Sequence, residues 1–580
     1  MKHLEGRIVV DARPKIEDSE LNVFIEEVSF RSGERIQLKP DQIVIFVGPN
    51  NAGKSASLKE IHTDVQKKVD EKVIIDEVRL NKSGTSHDIR DYLLKIAKKD
   101  GINDGYYKIG KSESIPLSNV DYFWSGQEKL HLLAPLFTKF LTTQDRLKMS
   151  NTPESIATLT DSPSHPFHFL QINDTFEREF SNLFKQAFGL DLIVNRGAGK
   201  HVPVHIGEAP KIDDGQDRVS YGYLEKLSLL PTLEKQGDGM RSFVGVLLSS
   251  FVAFENILFI DEPEAFLHPP QAYLLGKMLA NDVPPSKQIF LSTHSEDLLK
   301  GLIDKNSDRV KIIRIERSGN TNRISELNSE DIKALWRDPL LKYSNILSGL
   351  FHSKVIVCES DGDCRFFGAI VDALTNDKAQ VKPDILFVHC GGKQRIPVVV
   401  NALFKLRVKL LVVSDIDILN NETPLKDIYS GLGGDWPVLE PLWKRLKSQI
   451  ESKRPELETS DVLASIEKVL GAVDPKERVF PKEHVEAIRN VLKKVSPWSE
   501  VKSSGKSFIP AGEATKLFTE VINLCKAVGL NVVEVGELEG FDKTVGNHGP
   551  RWVNEVLEKD LNNDPGLEEA RRFVGSLMNQ

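Results

Sequence analysis

The sequence predicts an α/β protein built as two successive α/β domains, and three observations predict it. The apolar run QIVIFV, from Gln42, ends in the glycine turn GPNNAGKS and passes into the amphipathic segment SLKEIHTDVQKKV. Further on, ENILFIDEPEAFLHPPQ, KQIFLSTHSEDLL and KIIRIERSG are short β-rich runs separated by helical patterns. From Lys354 a second set follows, KVIVC, DILFVH, KLLVVS and NVVEV. Each is continuously apolar rather than alternating, as expected for strands buried on both faces of a parallel sheet.

In chain order, NVFIEEVSF from Asn22 reads as the first strand and QIVIFV as the second. Residues 91–218 carry mixed helical periodicity without phosphate-loop chemistry and read as an insertion, a dimerisation region, within a first domain over 1–345. The second domain spans 350–580. Its third and fourth strands are separated by 420–523, rich in Lys, Arg, Glu and Pro, which reads as a helical insertion.

Composition sets the outer limits. Of 580 residues 40% are hydrophobic and 28% charged, which supports large cores and excludes disorder and collagen-like repeats. Seventy-six basic against 84 acidic residues give a net −8, so a wholly basic nucleic-acid coat protein is excluded and polyanion contacts must come from local patches. Cys358, Cys364, Cys390 and Cys525 form no C-x-x-C pair, which fits a reducing cytoplasm. The opening MKHLEGRIVVDARPKIEDSE reaches charge too early for a signal peptide. The most apolar stretch, Val244 to Ile260, is interrupted by Ser249, Ser250, Glu255 and Asn256 and reads as a buried helix and strand, so no membrane partner is expected.

GPNNAGKS matches G-x-x-x-x-G-K-[ST], the pattern of a phosphate loop. Gly48 and Gly53 let the backbone N–H groups of a loop through Pro49, Asn50, Asn51 and Ala52 face a phosphate. Lys54 reaches the β and γ phosphates of ATP, Ser55 binds Mg²⁺, and the following helix N-terminus favours negative charge. In ILFIDEPE an apolar strand delivers Asp261 to the metal and Glu262 to the attacking water.

The second half carries three pairs of acids after apolar strands: Glu359 with Asp363 (and, more weakly, Asp361) after KVIVC, Asp415 and Asp417 after KLLVVS, Glu537 and Glu539 after NVVEV. All fall at C-terminal strand ends, the edge where α/β sheets place their sites. Residues two apart along an extended chain share a face. Carboxylates so crowded repel unless cations intervene, and hard divalent metals with oxygen ligands resolve the conflict. Two such ions clamp the attacking and leaving oxygens of a phosphodiester displacement. Lys393, Arg395, Lys405, Arg407 and Lys409, and Lys444, Arg445, Lys447, Lys453 and Arg454 in the insertion, read first as solvated faces and second as phosphate contacts.

GPNNAGKS, IDEPEAFLHP and FLSTHS together resemble the ATP-binding-cassette (ABC) heads of the SMC and RecF type. The resemblance implies a mixed sheet with a helical insertion, a γ-phosphate contact from His294, and a signature motif from an opposing subunit. KQGDGMRS, with Gly237 and Gly239, takes that place, although it departs from the usual S-G-G-Q type. The E-x-x-x-D then D-x-D pattern resembles the TOPRIM domain, a Rossmann-like parallel sheet, and CGGKQRIP its glycine-lysine turn. GELEGF resembles the OLD (overcoming lysogenization defect) family, in which a TOPRIM domain follows an ATPase head.

That resemblance implies an ATP-regulated endonuclease using Mg²⁺ or Mn²⁺, one ion at the ATP site and two at the nuclease site. Glu359, Asp363, Asp415, Asp417, Glu537 and Glu539 would be ligands, and Glu359 a proton-transfer group. A catalytic basic residue is implied among Lys543, His548 and Arg551, without a choice between them. It implies DNA as substrate, with RNA open, a homodimer or tetramer, and anti-phage defence of the Gabija or retron kind. The regulatory partner would then be a retron reverse transcriptase with its RNA–DNA product, or a helicase. A nucleic-acid clamp without cleavage and an RNA- or tRNA-cleaving effector are the competing classes.

Overall fold

The structure is a computed structural model describing residues 21–101, 103–109, 113–157, 163–304, 309–319, 321–327, 345–376, 382–452, 459–473, 479–493 and 497–580. The chain divides into two compact units, Met1–Tyr343 and Ser344–Gln580. The opening twenty residues, and Lys453 and Arg454, lie outside the described residues.

The elements of the first unit that position its site are β1 (Asn22–Phe30), β2 (Ile43–Val47), α1 (Lys54–Gln66), β3 (Ile75–Ser83), β4 (Thr138–Leu141), α2 (Thr143–Met149), α3 (Asp238–Leu247), β5 (Ile257–Asp261), β6 (Gln288–Ser292), β7 (Val310–Ser318) and β8 (Thr321–Leu327). They form a mixed α/β unit. A six-stranded sheet runs β8-β7-β2-β6-β5-β4, parallel throughout except for β8, which returns antiparallel on β7. Strand β1 pairs antiparallel with β3 and with Arg35–Gln37.

Every residue of β2 is buried, and Phe140, Phe259 and Phe290 stack across neighbouring strands. Each such buried apolar side chain contributes about 1.5–3 kcal/mol. Within 91–218, Thr138–Leu141 pairs in parallel with Ile257–Ile260 and so closes one edge of the main sheet. A Thr142–Asp145 capping box starts α2 directly after it.

The apolar stretch from Val244 ends α3, continues as a π turn over Leu248–Val252, and then becomes β5. The buried Lys287 ammonium donates to the carbonyls of Ser249, Ala253 and Glu255 where that helix stops. Among the described residues no helix is long and apolar enough to cross a membrane.

The second unit is built on β9 (Lys354–Cys358), α4 (Asp361–Asn376), β10 (Ile385–His389), β11 (Leu410–Asp415), α5 (Trp436–Ser452), α6 (Pro497–Ser504), α7 (Glu513–Val528), β12 (Leu530–Val533), α8 (Pro550–Leu557) and α9 (Glu568–Asn579). Four parallel strands run β10-β9-β11-β12. Strands β9 and β11 are central and buried, whereas β10, expected to be equally buried, is an edge strand with one face only partly covered. Phe366, Phe541 and Trp552 pack together beneath this sheet.

Between 420 and 523 every named element among the described residues is a helix or a 3-10 turn. Helix α5 is tied to the turn after β11, since Trp443 Nε1 donates to Leu419 O at 2.7 Å and Lys447 Nζ to Asn420 O at 2.6 Å. In turn α6 is tied to α5, with Trp498 Nε1 donating to Glu451 Oε1 at 3.2 Å.

Candidate functional site

The first unit gathers its candidate residues at the C-terminal ends of β2, β5 and β6. Gly48 has φ +144°, and a Cβ there would lie 2.0 Å from Ile315 O on β7, so only glycine lets the loop leave β2 in this direction. Gly53, at φ +101°, begins α1, and Asn322 of β8 donates to Ala52 O at 2.7 Å. Buried Lys54 lies over the loop and donates to Gly48 O and Pro49 O, each at 2.8 Å. Between these anchors Asn50 and Asn51 turn the chain, Asn51 at φ +60°.

Ser55 Oγ donates to Asp261 Oδ1 at 2.7 Å, and Ser292 Oγ donates to the same oxygen. Glu262 stands at φ +47°, its N–H donating to Ser292 O, and its carboxylate lies 3.6 Å from His294 Nε2. Burial and the Lys54 charge hold the His294 imidazole below its ordinary pKa, against the opposing pull of Glu262 and Asp261. Thus Lys54, Ser55, Asp261, Glu262 and His294 meet at one edge. Gly237 caps α3 and Gly239 lies in its first turn, where a Cβ would sit 2.8 Å from Phe266 O.

Two residues of this region were not singled out from the sequence. Arg146, on α2 and fully buried, donates to Ser242 Oγ, Thr143 Oγ1 and the carbonyls of Asp261 and Glu262, tying the helix after Gly237 to the end of β5. Glu264, half-buried, accepts from Thr293 Oγ1 and from the His294 N–H, and desolvation raises its pKa. An arginine in the unremarkable run TTQDRLKM gives no sign of this role.

The second unit gathers the carboxylates. Glu359 follows β9, and its Oε1 accepts from Ser414 Oγ at 2.6 Å and from the Asp415 N–H at 3.1 Å. Asp363 sits in the first turn of α4, its carboxylate accepting from the Ser360 N–H. Neither later pair lies along an extended chain as expected. Asp415 ends β11 and Asp417 lies in a 3-10 turn over Ile416–Asn420; Glu537 precedes another over Leu538–Phe541. Gly536, at φ +115°, makes that second turn.

Even so, ligand atoms of Glu359, Asp415 and Asp417 lie within 4.8 Å of one another, as do those of Glu537, Glu539 and His548. Lys502 Nζ joins the two groups, 3.3 Å from Asp415, 3.5 Å from Glu537 and 4.0 Å from Asp417. Lys393, in the glycine-lysine turn, donates to Asp417 Oδ2 at 2.6 Å.

The electrostatics are those of crowded acids. Burial, with Glu359, Asp363 and Asp417 nearby, pushes Asp415 up to about 8 despite Lys502. Burial raises Asp363, helped by Glu359 and Glu539; burial and Glu539 raise Glu537. Burial works against the Lys502 charge, but Asp415, Asp417 and Glu537 outweigh it and push the ammonium up. Asp417 Oδ1 is buried and accepts no hydrogen bond among the described residues. An orphaned carboxylate oxygen inside such a cluster fits a divalent cation with oxygen ligands.

Of the three expected basic residues, His548 comes within 3.7 Å of Glu539. Among the described residues neither Lys543 nor Arg551, both exposed, reaches ion-pairing distance of a cluster carboxylate. In the insertion Lys444 pairs with Glu440 and Arg445 with Glu513, as solvated helix faces do.

Residues 206–299 match the family model of an AAA ATPase domain, a span that holds Gly237, Gly239, Asp261, Glu262 and His294. Such a domain implies nucleotide and, usually, Mg²⁺. Over 183 residues the chain is 25% identical to the Old nuclease of Escherichia phage P2, covering 30% of this chain and 30% of that protein. Among solved structures, an Smc head bound to the C-winged helix domain of ScpA aligns over 53% of this chain and 99% of its own, at 12% identity and a TM-score of 0.33. The SMC head domain from Thermotoga maritima aligns over 53% and 99%, at 14% identity and a TM-score of 0.28. Over 97 residues the chain is 32% identical to the uncharacterized protein MJECL11 of Methanocaldococcus jannaschii, covering 16% of this chain and 84% of that protein. The chain carries an AAA-type ATPase domain and, over that shared stretch, belongs to the same family as the archaeal protein.

Proposed function

We propose that the chain is an ATP-regulated, divalent-metal-dependent endonuclease of OLD type that cleaves DNA, with its second unit a TOPRIM nuclease domain. The observation that carries this reading is the convergence of Glu359, Asp415 and Asp417, and of Glu537 and Glu539, at one edge of a parallel sheet. The partial likeness to the Old nuclease supports it. Glu359, Asp415 and Asp417 would hold one ion, Glu537 and Glu539 a second, with Asp363 beside both. Two such ions supply an activated water and a stabilised leaving oxygen at a phosphodiester. Glu359, held by Ser414 and the Asp415 N–H, would serve as the proton-transfer group.

In the first unit the Gly48–Ser55 loop and Lys54 bind the phosphates of ATP, Ser55 and Asp261 hold its Mg²⁺, and Glu262 and His294 face the γ-phosphate. Gly237 and Gly239 face the nucleotide of a second copy in a homodimer or tetramer. ATP binding then governs assembly and access, and the setting is anti-phage defence in the cytoplasm. The restraining or triggering partner is a retron reverse transcriptase with its RNA–DNA product, or a helicase.

The test is cleavage of supercoiled plasmid and of total RNA, with Mg²⁺ or Mn²⁺, with and without ATP. Metal-dependent nicking of plasmid, abolished in Glu359→Ala and Asp415→Ala, is the expected result. Degradation of RNA alone moves the substrate to RNA, and cleavage that persists in both variants leaves a clamp.

A further inference from the structure

We infer that Lys502 is a resident counter-cation of the carboxylate centre, which occupies the place of a divalent ion and yields it when metal binds. The inference rests on the metal-centre reading above and adds a device to it. Lys502 Nζ is not bonded tightly to one acid: it stands 3.3 Å from Asp415 Oδ2, 3.5 Å from Glu537 Oε2 and 4.0 Å from Asp417 Oδ2. A committed ammonium–carboxylate bond is about 2.7–2.9 Å long. Lys393, at 2.6 Å from Asp417, makes such a bond, and Lys502 is instead shared among acids delivered by two different strand ends.

Its placement is built into the fold. A Cβ on Gly536 would lie 2.1 Å from Lys502 O, and Gly536 has φ +115°. Gly505, at φ +63°, approaches so closely that a Cβ would lie 2.5 Å from Glu534 O, and the Lys506 N–H donates to Glu534 O at 2.8 Å. Two glycines therefore permit the end of α6 to lie directly on the loop that carries Glu537. Buried Trp498 anchors the start of α6 through Glu451. With the backbone held at both ends, the four-carbon side chain is the part free to swing.

The carboxylates around Lys502 are the ones a metal needs. A divalent ion draws oxygen ligands to about 2.0–2.6 Å, and an ammonium standing among those oxygens excludes it by volume and by charge. In the metal-free protein Lys502 relieves the repulsion between Asp415, Asp417 and Glu537. On metal binding its ammonium leaves them and remains within one side-chain length of the centre.

Two measurements on the full chain test this. Calorimetric titration with Mn²⁺ compares wild type, Lys502→Met and Lys502→Gln, the second variant serving should the first not fold. Loss of the competing cation is expected to tighten Mn²⁺ binding at the centre by about tenfold or more. Amine acetylation of wild type, read by peptide mass spectrometry at one pH, is expected to rise at Lys502 on adding Mn²⁺, with Lys506 as the internal reference. Equal or weaker Mn²⁺ binding in the variants, or unchanged or falling acetylation of Lys502, overturns the displacement while leaving the metal centre intact. Failure of wild type and variants alike to bind Mn²⁺ at the centre removes the metal-centre reading and this inference with it.

Discussion

Eight consecutive residues, Gly48–Ser55, make the nucleotide loop, whereas the carboxylate centre takes its acids from three strand ends and its lysines from a turn and an inserted helix. In the loop the work is done by backbone conformation: glycines at φ +144° and +101° aim N–H groups, and Lys54 rests on its own loop carbonyls. The centre is held by opposed charges, with acids raised by burial and by one another and a lysine between them. A preorganised cradle thus depends on local geometry, while a charged cluster assembled at long range depends on its counter-ions.

Crossed substitutions break this comparison most strongly. Asp415→Ala is expected to reduce metal-dependent plasmid nicking by about a thousandfold or more while leaving ATP binding unchanged. Conversely, Lys54→Ala is expected to weaken ATP binding by about a hundredfold while Mn²⁺ binding at the centre is unchanged. Nicking assays and calorimetry with both ligands measure the two arms, and loss of both functions in either variant merges the two sites.

A smaller effect is expected at Arg146. Its removal leaves the carbonyls of Asp261 and Glu262 without their donor, so Arg146→Ala should lower unfolding free energy by about 3 kcal/mol, read from urea denaturation. An unshifted curve would make this tie between α2, α3 and β5 dispensable.

The pH response sharpens the contrast further. Asp415 binds its proton more tightly folded, with a pKa of about 8, than unfolded, so this contribution is present in full below the unfolded carboxyl value and is lost as pH rises through 8. In chelator, the melting temperature of wild type should therefore fall more steeply between pH 6 and 8.5 than that of Asp415→Asn. Added Mn²⁺ should flatten the wild-type curve. Identical slopes in the two proteins would mean that Asp415 is not strained.

The smallest effect belongs to His548, exposed and 3.7 Å from Glu539. His548→Ala should weaken Mn²⁺ binding about threefold, and a hundredfold loss would make it a principal ligand.

Much of the fold was legible because its signals are local. The phosphate loop, the strand ending in Asp261 and the four apolar runs of the second unit declare themselves in five to eight residues each. Thr138–Leu141 was absorbed into an apparent insertion because a four-residue edge strand carries too little pattern to separate it from its helical surroundings. The acid pairs were legible as pairs but not in conformation: alternation on an extended chain was the expectation, and 3-10 turns made after Asp415 and Gly536 bring the same side chains together. Lys502 left no mark, since its role is created by the close approach of its backbone to Gly536, a tertiary fact. Arg146 and Glu264 were hidden for the same reason.

The most direct test of the central claim is anomalous scattering from crystals of the full chain soaked in Mn²⁺. Peaks are expected within about 2.6 Å of carboxylate oxygens of Glu359, Asp415 and Asp417, and of Glu537 and Glu539. Density beside Ser55 and Asp261 alone, with the second unit empty at saturating Mn²⁺, would contradict it.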